Sequence, residues 1–146
     1  FLCRGGALYL EDRDTRFLYF HTPYAQSRLI LPTHYRLTPS SMSVDNLPFR
    51  NRYIEEVKAV DAEIKQAVSK RTSRPAALLL GKDQGEFFSD EAGQLLVKRT
   101  LLYLYARQDK TAWQTLERDV RKLYRQDGGL KKIRAEILKI LAEGPY

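Results

Sequence analysis

The sequence predicts a mainly α protein, with antiparallel helical hairpins or a bundle over about residues 48–143, preceded by a small N-terminal β-hairpin or extended arm. From Tyr53 onward, apolar residues recur every three or four positions, which is the period of a helix. Before residue 40, short aromatic and leucine runs end at prolines or polar breaks, as short strands do. A chain of 146 residues that is 43% hydrophobic is long enough to bury a core.

The N-terminal third predicts strands that have little apolar face to share. Two β-rich runs, residues 7–10 and 16–20, flank the polar break 11–15 and predict a hairpin with the acidic residues at its tip. Two further short runs stop at Pro32 and Pro39. Because so small a sheet is marginal alone, we expect a partner to order residues 1–40.

The rest of the chain predicts helices in sequence. A linker over residues 38–47 leads to Pro48, which suits a first helical turn. The first helix carries one apolar stripe, formed by Tyr53, Val57, Val60, Ile64 and Val68. A short buried helix is predicted at 74–81, with Ser89 as a candidate cap for the next helix. The remaining predicted helices span 90–107, which is apolar nearly all round, 111–126 and 130–143.

The positive charge is concentrated near the end of the chain. The net charge is +7, and residues 101–146 hold ten basic and six acidic groups. At 100° per residue, four cations share the face of the 111–126 helix opposite its apolar stripe; they are Arg118, Arg121, Lys122 and Arg125. Three interpretations stay open, and the simplest is a solvated helix face. The other two are a nucleic-acid contact and a surface that docks onto an acidic protein. Docking is the hypothesis that we carry forward, because guanidinium groups suit carboxylates.

A second candidate surface mixes aromatic and basic residues in the N-terminal third. Its members are Tyr9, Arg16, Tyr19, Tyr24, Arg28, Tyr35 and Arg36. Aromatic residues interleaved with arginine can stack nucleic-acid bases, and they are also typical of protein interfaces. We favour the interface and predict that these residues contact a partner protein.

The sequence offers no catalytic, metal or cofactor constellation. The two histidines, His21 and His34, are separated by prolines, and Cys3 is the only cysteine. A zinc or acid–base site needs more convergent ligands than these three residues supply. One cysteine excludes an internal disulfide, and no run of 18 apolar residues predicts a membrane span. We therefore expect no catalytic residue, no metal and no cofactor.

These observations together predict a non-enzymatic accessory or scaffold subunit of a large multiprotein assembly. The chain begins with Phe1 and its only methionine is Met42, so we expect that a leader was removed or the chain was trimmed. With the basic balance, this favours the matrix side of mitochondria, in a respiratory-chain or ATP synthase complex. The alternative is an RNA- or DNA-binding module, such as a mitochondrial ribosomal protein.

Overall fold

Four strands form one antiparallel sheet at the N-terminal end of the chain. The structure is a computed structural model that describes residues 1–18, 20, 27–72, 90–124 and 130–143. The strands are β1 (Leu2–Arg4), β2 (Ala7–Asp14), β3 (Leu31–Leu37) and β4 (Met42–Val44). Their spatial order is β1-β2-β3-β4, so each strand pairs with its neighbours in sequence.

Four helices follow the sheet in the described part of the chain. A 3₁₀ turn at Leu47–Phe49 runs directly into α1 (Arg50–Thr72). The others are α2 (Glu91–Tyr105), α3 (Asp109–Tyr124) and α4 (Leu130–Ala142). The bounds of α2, α3 and α4 agree closely with the predicted helices, and the predicted helix at 74–81 lies outside the described residues.

The predicted fold class is wrong, because the protein is a mixed α/β fold rather than a helical bundle with a small hairpin or arm. The error began at the polar segment 11–15, which was interpreted as a hairpin tip. Strand β2 instead continues through Glu11 to Asp14 and pairs with β3 from Leu8 to Asp14. The carboxylates of Glu11 and Asp14 remain in this strand because they bind His34 and Tyr105, respectively. Local propensity does not reveal such tertiary partners.

The tight turn between β1 and β2 is formed by two glycines. Gly5 has φ of 56° and Gly6 has φ of 75°, and the strands close at the pair Arg4–Ala7. Positive φ at both central residues is the geometry of a two-residue hairpin turn, and glycine adopts it without the steric cost of a Cβ.

Pro32 lies inside β3, although proline usually interrupts a strand. It pairs with Arg13 of β2, and its carbonyl oxygen accepts a hydrogen bond of 3.1 Å from Tyr53 Oη. The backbone of Pro32 therefore points away from β2, towards a side of β3 that β4 does not reach. Because the missing N–H faces this open edge, the ladder loses no hydrogen bond.

Capping side chains and backbone bonds define both ends of α2. At its start, Asp90 accepts a 2.8 Å hydrogen bond from the backbone N–H of Gly93. At its end, the N–H of Gln108 binds the carbonyl of Tyr103 and the N–H of Arg107 binds that of Leu104. This is a Schellman motif, but its left-handed position is held by Arg107, with φ of 58°, where glycine is usual.

The sheet and all four helices contribute to one hydrophobic cluster. Helix α2 is its centre, with Leu95, Leu96, Leu101 and Leu102 at most 1% exposed, which confirms the prediction for this helix. The buried hydrophobic residues described before Met42 are Tyr9, Phe17, Phe20, Leu29, Leu31 and Tyr35. These side chains from the described part of residues 1–40 thus pack with the helices.

Candidate partner-binding surface

The described cations of the predicted basic stripe line two different concave surfaces. Arg118 and Lys122 lie one turn apart and line a cleft that faces α1 and α2. Arg121 lines a different groove, between α3 and α4, and is paired with Glu117 at 2.7 Å. Arg125 lies outside the described residues. The three described members of the stripe are therefore divided between two concave surfaces.

The first concave surface, which we call the α1–α3 cleft, has a volume of about 460 Å³ and is formed by three helices. Helix α1 contributes Asp61, Ile64, Lys65 and Val68. Helix α2 contributes Arg99, and α3 contributes Arg118, Asp119, Lys122 and Leu123. The cleft thus combines three apolar side chains, four cations and two carboxylates.

Arg99 joins the three helices at the α1–α3 cleft. Its side chain is 6% exposed, and its guanidinium binds Asp61 of α1 at 2.9 Å and Asp119 of α3. Asp119 also accepts a 2.8 Å hydrogen bond from Arg118 Nε. Burial raises the pKa of Asp119, but the hydrogen bonds from Arg118 and Arg99 outweigh burial and hold that pKa below its ordinary value. Asp119 therefore stays ionised at neutral pH.

The two lysines of the α1–α3 cleft differ from its arginines. Lys65 and Lys122 are exposed, and neither has an ion-pair partner among the described residues. Arg99 and Arg118 share Asp61 and Asp119, so four cations face two carboxylates and two positive charges remain. The uncompensated charge lies on opposite walls of the cleft, beside its apolar side chains.

The groove between α3 and α4 is also lined by basic residues. The guanidinium of Arg134 lies 4.8 Å from the ring centroid of Trp113, within the range of a cation–π contact. Arg121 and Lys131 line the same groove, with Glu117 as its one lining carboxylate among the described residues.

Tyr9 and Tyr35, which were predicted to bind a partner, lie in the interior. Each is 4% exposed. The ring of Tyr9 packs edge-on against Phe49 at 5.1 Å, and its hydroxyl donates a 3.2 Å hydrogen bond to Asp45. Tyr9 thus joins the sheet to the segment that leads into α1.

Arg16 is the centre of a buried network. It binds the carboxylate of Asp14 through Nε at 2.9 Å and Nη2 at 2.6 Å, and its Nη1 lies 3.3 Å from the carbonyl oxygens of Ile140 and Leu141. Tyr105 donates its hydroxyl hydrogen bond to the same carboxylate. Burial raises the pKa of Asp14, but the hydrogen bonds from Arg16 and Tyr105 outweigh burial and hold that pKa below its ordinary value. Arg16 thus joins β2 to the last turn of α4.

The remaining predicted residues of the N-terminal surface are dispersed. Arg28 is exposed and lies 3.6 Å from Glu91 at the start of α2, while Arg36 is exposed on β3 opposite Tyr9. Tyr19 and Tyr24 lie outside the described residues. The structure does not bring the described members together into one exposed aromatic and basic patch.

His34 is fully buried in a second polar network, between the sheet and α1. Its Nε2 lies 3.1 Å from Glu11, its Nδ1 lies 2.7 Å from the hydroxyl of Tyr53, and its ring stacks on Phe49 at 3.7 Å. Burial lowers the pKa of His34, although Glu11 acts in the opposite direction. His21 lies outside the described residues.

Among the residues that the structure describes, no group of three or more histidine, cysteine, aspartate or glutamate side chains is arranged to hold a metal ion. None of the helices that the structure describes is long and apolar enough to cross a membrane. The chain matches no family model, no curated protein and no solved structure. Its function is therefore proposed from the geometry of the described surface.

Sequence reasoning missed the α1 side of the cleft, formed by Asp61 and Lys65, and missed Arg99. One signal was visible in the sequence: Arg99 interrupts the most apolar helix of the chain. A charged residue in a buried helix needs partners of opposite charge, which predicts carboxylates on the neighbouring helices.

Proposed function

We propose that the chain is a non-enzymatic accessory or scaffold subunit of a large multiprotein assembly. In this proposal it docks onto an acidic segment of a partner protein through the α1–α3 cleft. The observation that carries the proposal is the pair of uncompensated lysines, Lys65 and Lys122, on either side of the apolar side chains of Ile64, Val68 and Leu123. An apolar centre with a charged rim is the usual composition of a protein interface.

The charge pattern of the cleft favours a protein over a nucleic acid. Arg99 and Arg118 are already bound by carboxylates. A surface built for a phosphate backbone usually presents many free cations and little apolar area. Within this proposal, a mitochondrial complex on the matrix side, respiratory or ATP synthase, is the assembly that we favour, on the basic balance of the chain and its single cysteine.

One observation favours a nucleic-acid-binding module as the second candidate. In the groove between α3 and α4, Trp113 lies beneath Arg134 and beside Lys131 and Arg121. An aromatic ring among cations can stack a base of single-stranded RNA or DNA. A mitochondrial ribosomal protein would fit this second function.

Charge reversal on the two helices of the cleft tests the proposal. The tagged chain, with Lys65→Glu and Lys122→Glu together, is purified from its native source and compared with wild type. The proposal expects the co-purifying subunits to be lost, because like charges then face each other across the interface. The matched control reverses Lys58 and Lys110, which are exposed on the same two helices outside the cleft.

Two readouts separate the candidate functions. The cleft variant should melt within a few degrees of wild type, because exposed charges are each worth under about 1 kcal/mol. Retention of every subunit by a folded cleft variant refutes docking through this cleft. Loss of binding to single-stranded RNA in Arg134→Glu, at physiological salt, replaces our proposal with the nucleic-acid function.

A further inference from the structure

We propose that the segment bound in the α1–α3 cleft is an acidic amphipathic helix of the partner, about two turns long. This inference rests on the proposed function and adds the conformation and the chemistry of the bound segment.

The helical walls of the cleft favour a helix as the occupant. Helix α2 packs against both α1 and α3, so the cleft is the notch between two helices that both lie on a third. Helices pack with their axes about 8–10 Å apart. A helix of the partner can therefore fit the cleft by placing its ridge of side chains between α1 and α3. The cleft occupies the position that a further helix would take beside α1 and α3.

The backbone of the two walls favours a helix over an extended strand as the bound segment. A strand binds by pairing its N–H and C=O groups with a free sheet edge. Along the cleft the backbone N–H groups of Asp61–Val68 in α1 and of Arg118–Leu123 in α3 are bonded inside each helix, because these positions lie beyond the first turn. A strand would leave its own polar backbone unpaired there, whereas a helix arrives with its backbone bonds already made.

The length of the cleft limits the length of the bound helix. On α1 the lining residues are Asp61, Ile64, Lys65 and Val68, which share one face over eight residues. The seven steps from the first to the last rise about 10 Å, which is about two turns. Arg99, held between Asp61 and Asp119, bridges the two walls at one end of this stretch.

The chemistry of the cleft specifies both faces of the bound helix. Apolar side chains at positions i, i+3 or i+4, and i+7 would cover Ile64, Val68 and Leu123. Aspartate or glutamate beside this apolar stripe would reach Lys65 on one wall and Lys122 on the other. Asp61 and Asp119 are occupied by Arg99, so they do not neutralise these lysines.

Site-specific cross-linking in the native assembly tests the inference. Benzophenone-alanine replaces Lys65 in the full chain, and in a matched control it replaces Lys58, which is exposed about two turns earlier on the same helix and does not line the cleft. The cross-linked peptide is then sequenced. The expected result is a cross-link from position 65, and not from 58, to an acidic segment with apolar residues at helical spacing.

Binding of that segment, made as a synthetic peptide, completes the test. Lys65→Glu with Lys122→Glu should weaken its binding by about tenfold or more, and Lys58→Glu with Lys110→Glu should change it by less than about twofold. Circular dichroism should show the peptide gaining helix on binding.

The outcomes separate this inference from the proposed function. A cross-link to a protein segment that is basic, or that binds without gaining helix, overturns the inference and leaves the docking function in place. A cross-link from position 65 to nucleic acid or lipid, or none at all from an assembly that retains the chain, overturns both.

Discussion

Replacing Arg16 with alanine distinguishes a structural arginine from a partner-binding one. The side chain of Asp14 is 3% exposed, and Arg16 supplies its ion pair. Removing one partner of a buried pair costs about 3–5 kcal/mol, because the other charge is left unpaired. Asp14 would keep the hydrogen bonds from Tyr105 and from the backbone N–H of residue 16, so we expect the lower end of that range, about 3 kcal/mol.

The assay is urea unfolding at pH 7, followed by the fluorescence of Trp113, the single tryptophan. A loss of about 3 kcal/mol corresponds to a fall in melting temperature of about 6–12 °C for a domain of this size. Arg28→Ala is the matched control, because Arg28 and Glu91 are about half exposed and lie 3.6 Å apart. Its cost should stay under about 1 kcal/mol.

The pH dependence of the same variant adds a second check. The pKa of Asp14 is held below its ordinary value of 3.8, so its ionised form stabilises the fold above that pH. This contribution is lost as the pH falls through the folded-state pKa. Without Arg16 this contribution is smaller, so the difference in unfolding free energy between Arg16→Ala and wild type should become smaller towards pH 3. If Arg16→Ala unfolds within about 1 kcal/mol of Arg28→Ala at pH 7, the structural role is refuted.

Three further predictions concern the core, the end of α2 and the buried histidine. Leu101→Ala should lower the unfolding free energy by about 2–5 kcal/mol, because Leu101 is fully buried; equal effects of Leu101→Ala and of Leu138→Ala, at a leucine that is 45% exposed, would contradict the packing of α2. Arg107→Gly should raise the melting temperature, since it relieves a left-handed backbone worth about 1 kcal/mol; an unchanged or lower value would argue against strain there. Burial lowers the pKa of His34 below 6.5, so the folded chain binds fewer protons than the unfolded one and should lose stability as the pH falls below about 6.5. In urea titrations from pH 7 to pH 5, His34→Gln should lose less unfolding free energy than wild type. An equal loss in both proteins would show that another group causes the pH dependence.

Most of the helical structure could be predicted from the sequence, because the period of a helix is a local property. The spacing of Leu116, Val120, Ile133 and Ile137 already placed the buried faces of α3 and α4, and those residues are buried. The turn at Gly5 and Gly6 is a local feature in the same sense, since positive φ is a demand of the local backbone.

The sheet and the cleft were decided by contacts between residues that are far apart in the chain. Asp14 remains in a strand because Tyr105, 91 positions away, binds its carboxylate. Lys65 and Lys122 face one cleft because α1 and α3 both pack on α2. Neither pairing leaves a periodic signal, since the energy of such contacts depends on the partner element and its register. The sequence by itself therefore determined where the helices lie and which faces they bury, while tertiary packing decided the extent of the sheet and which cations share a surface.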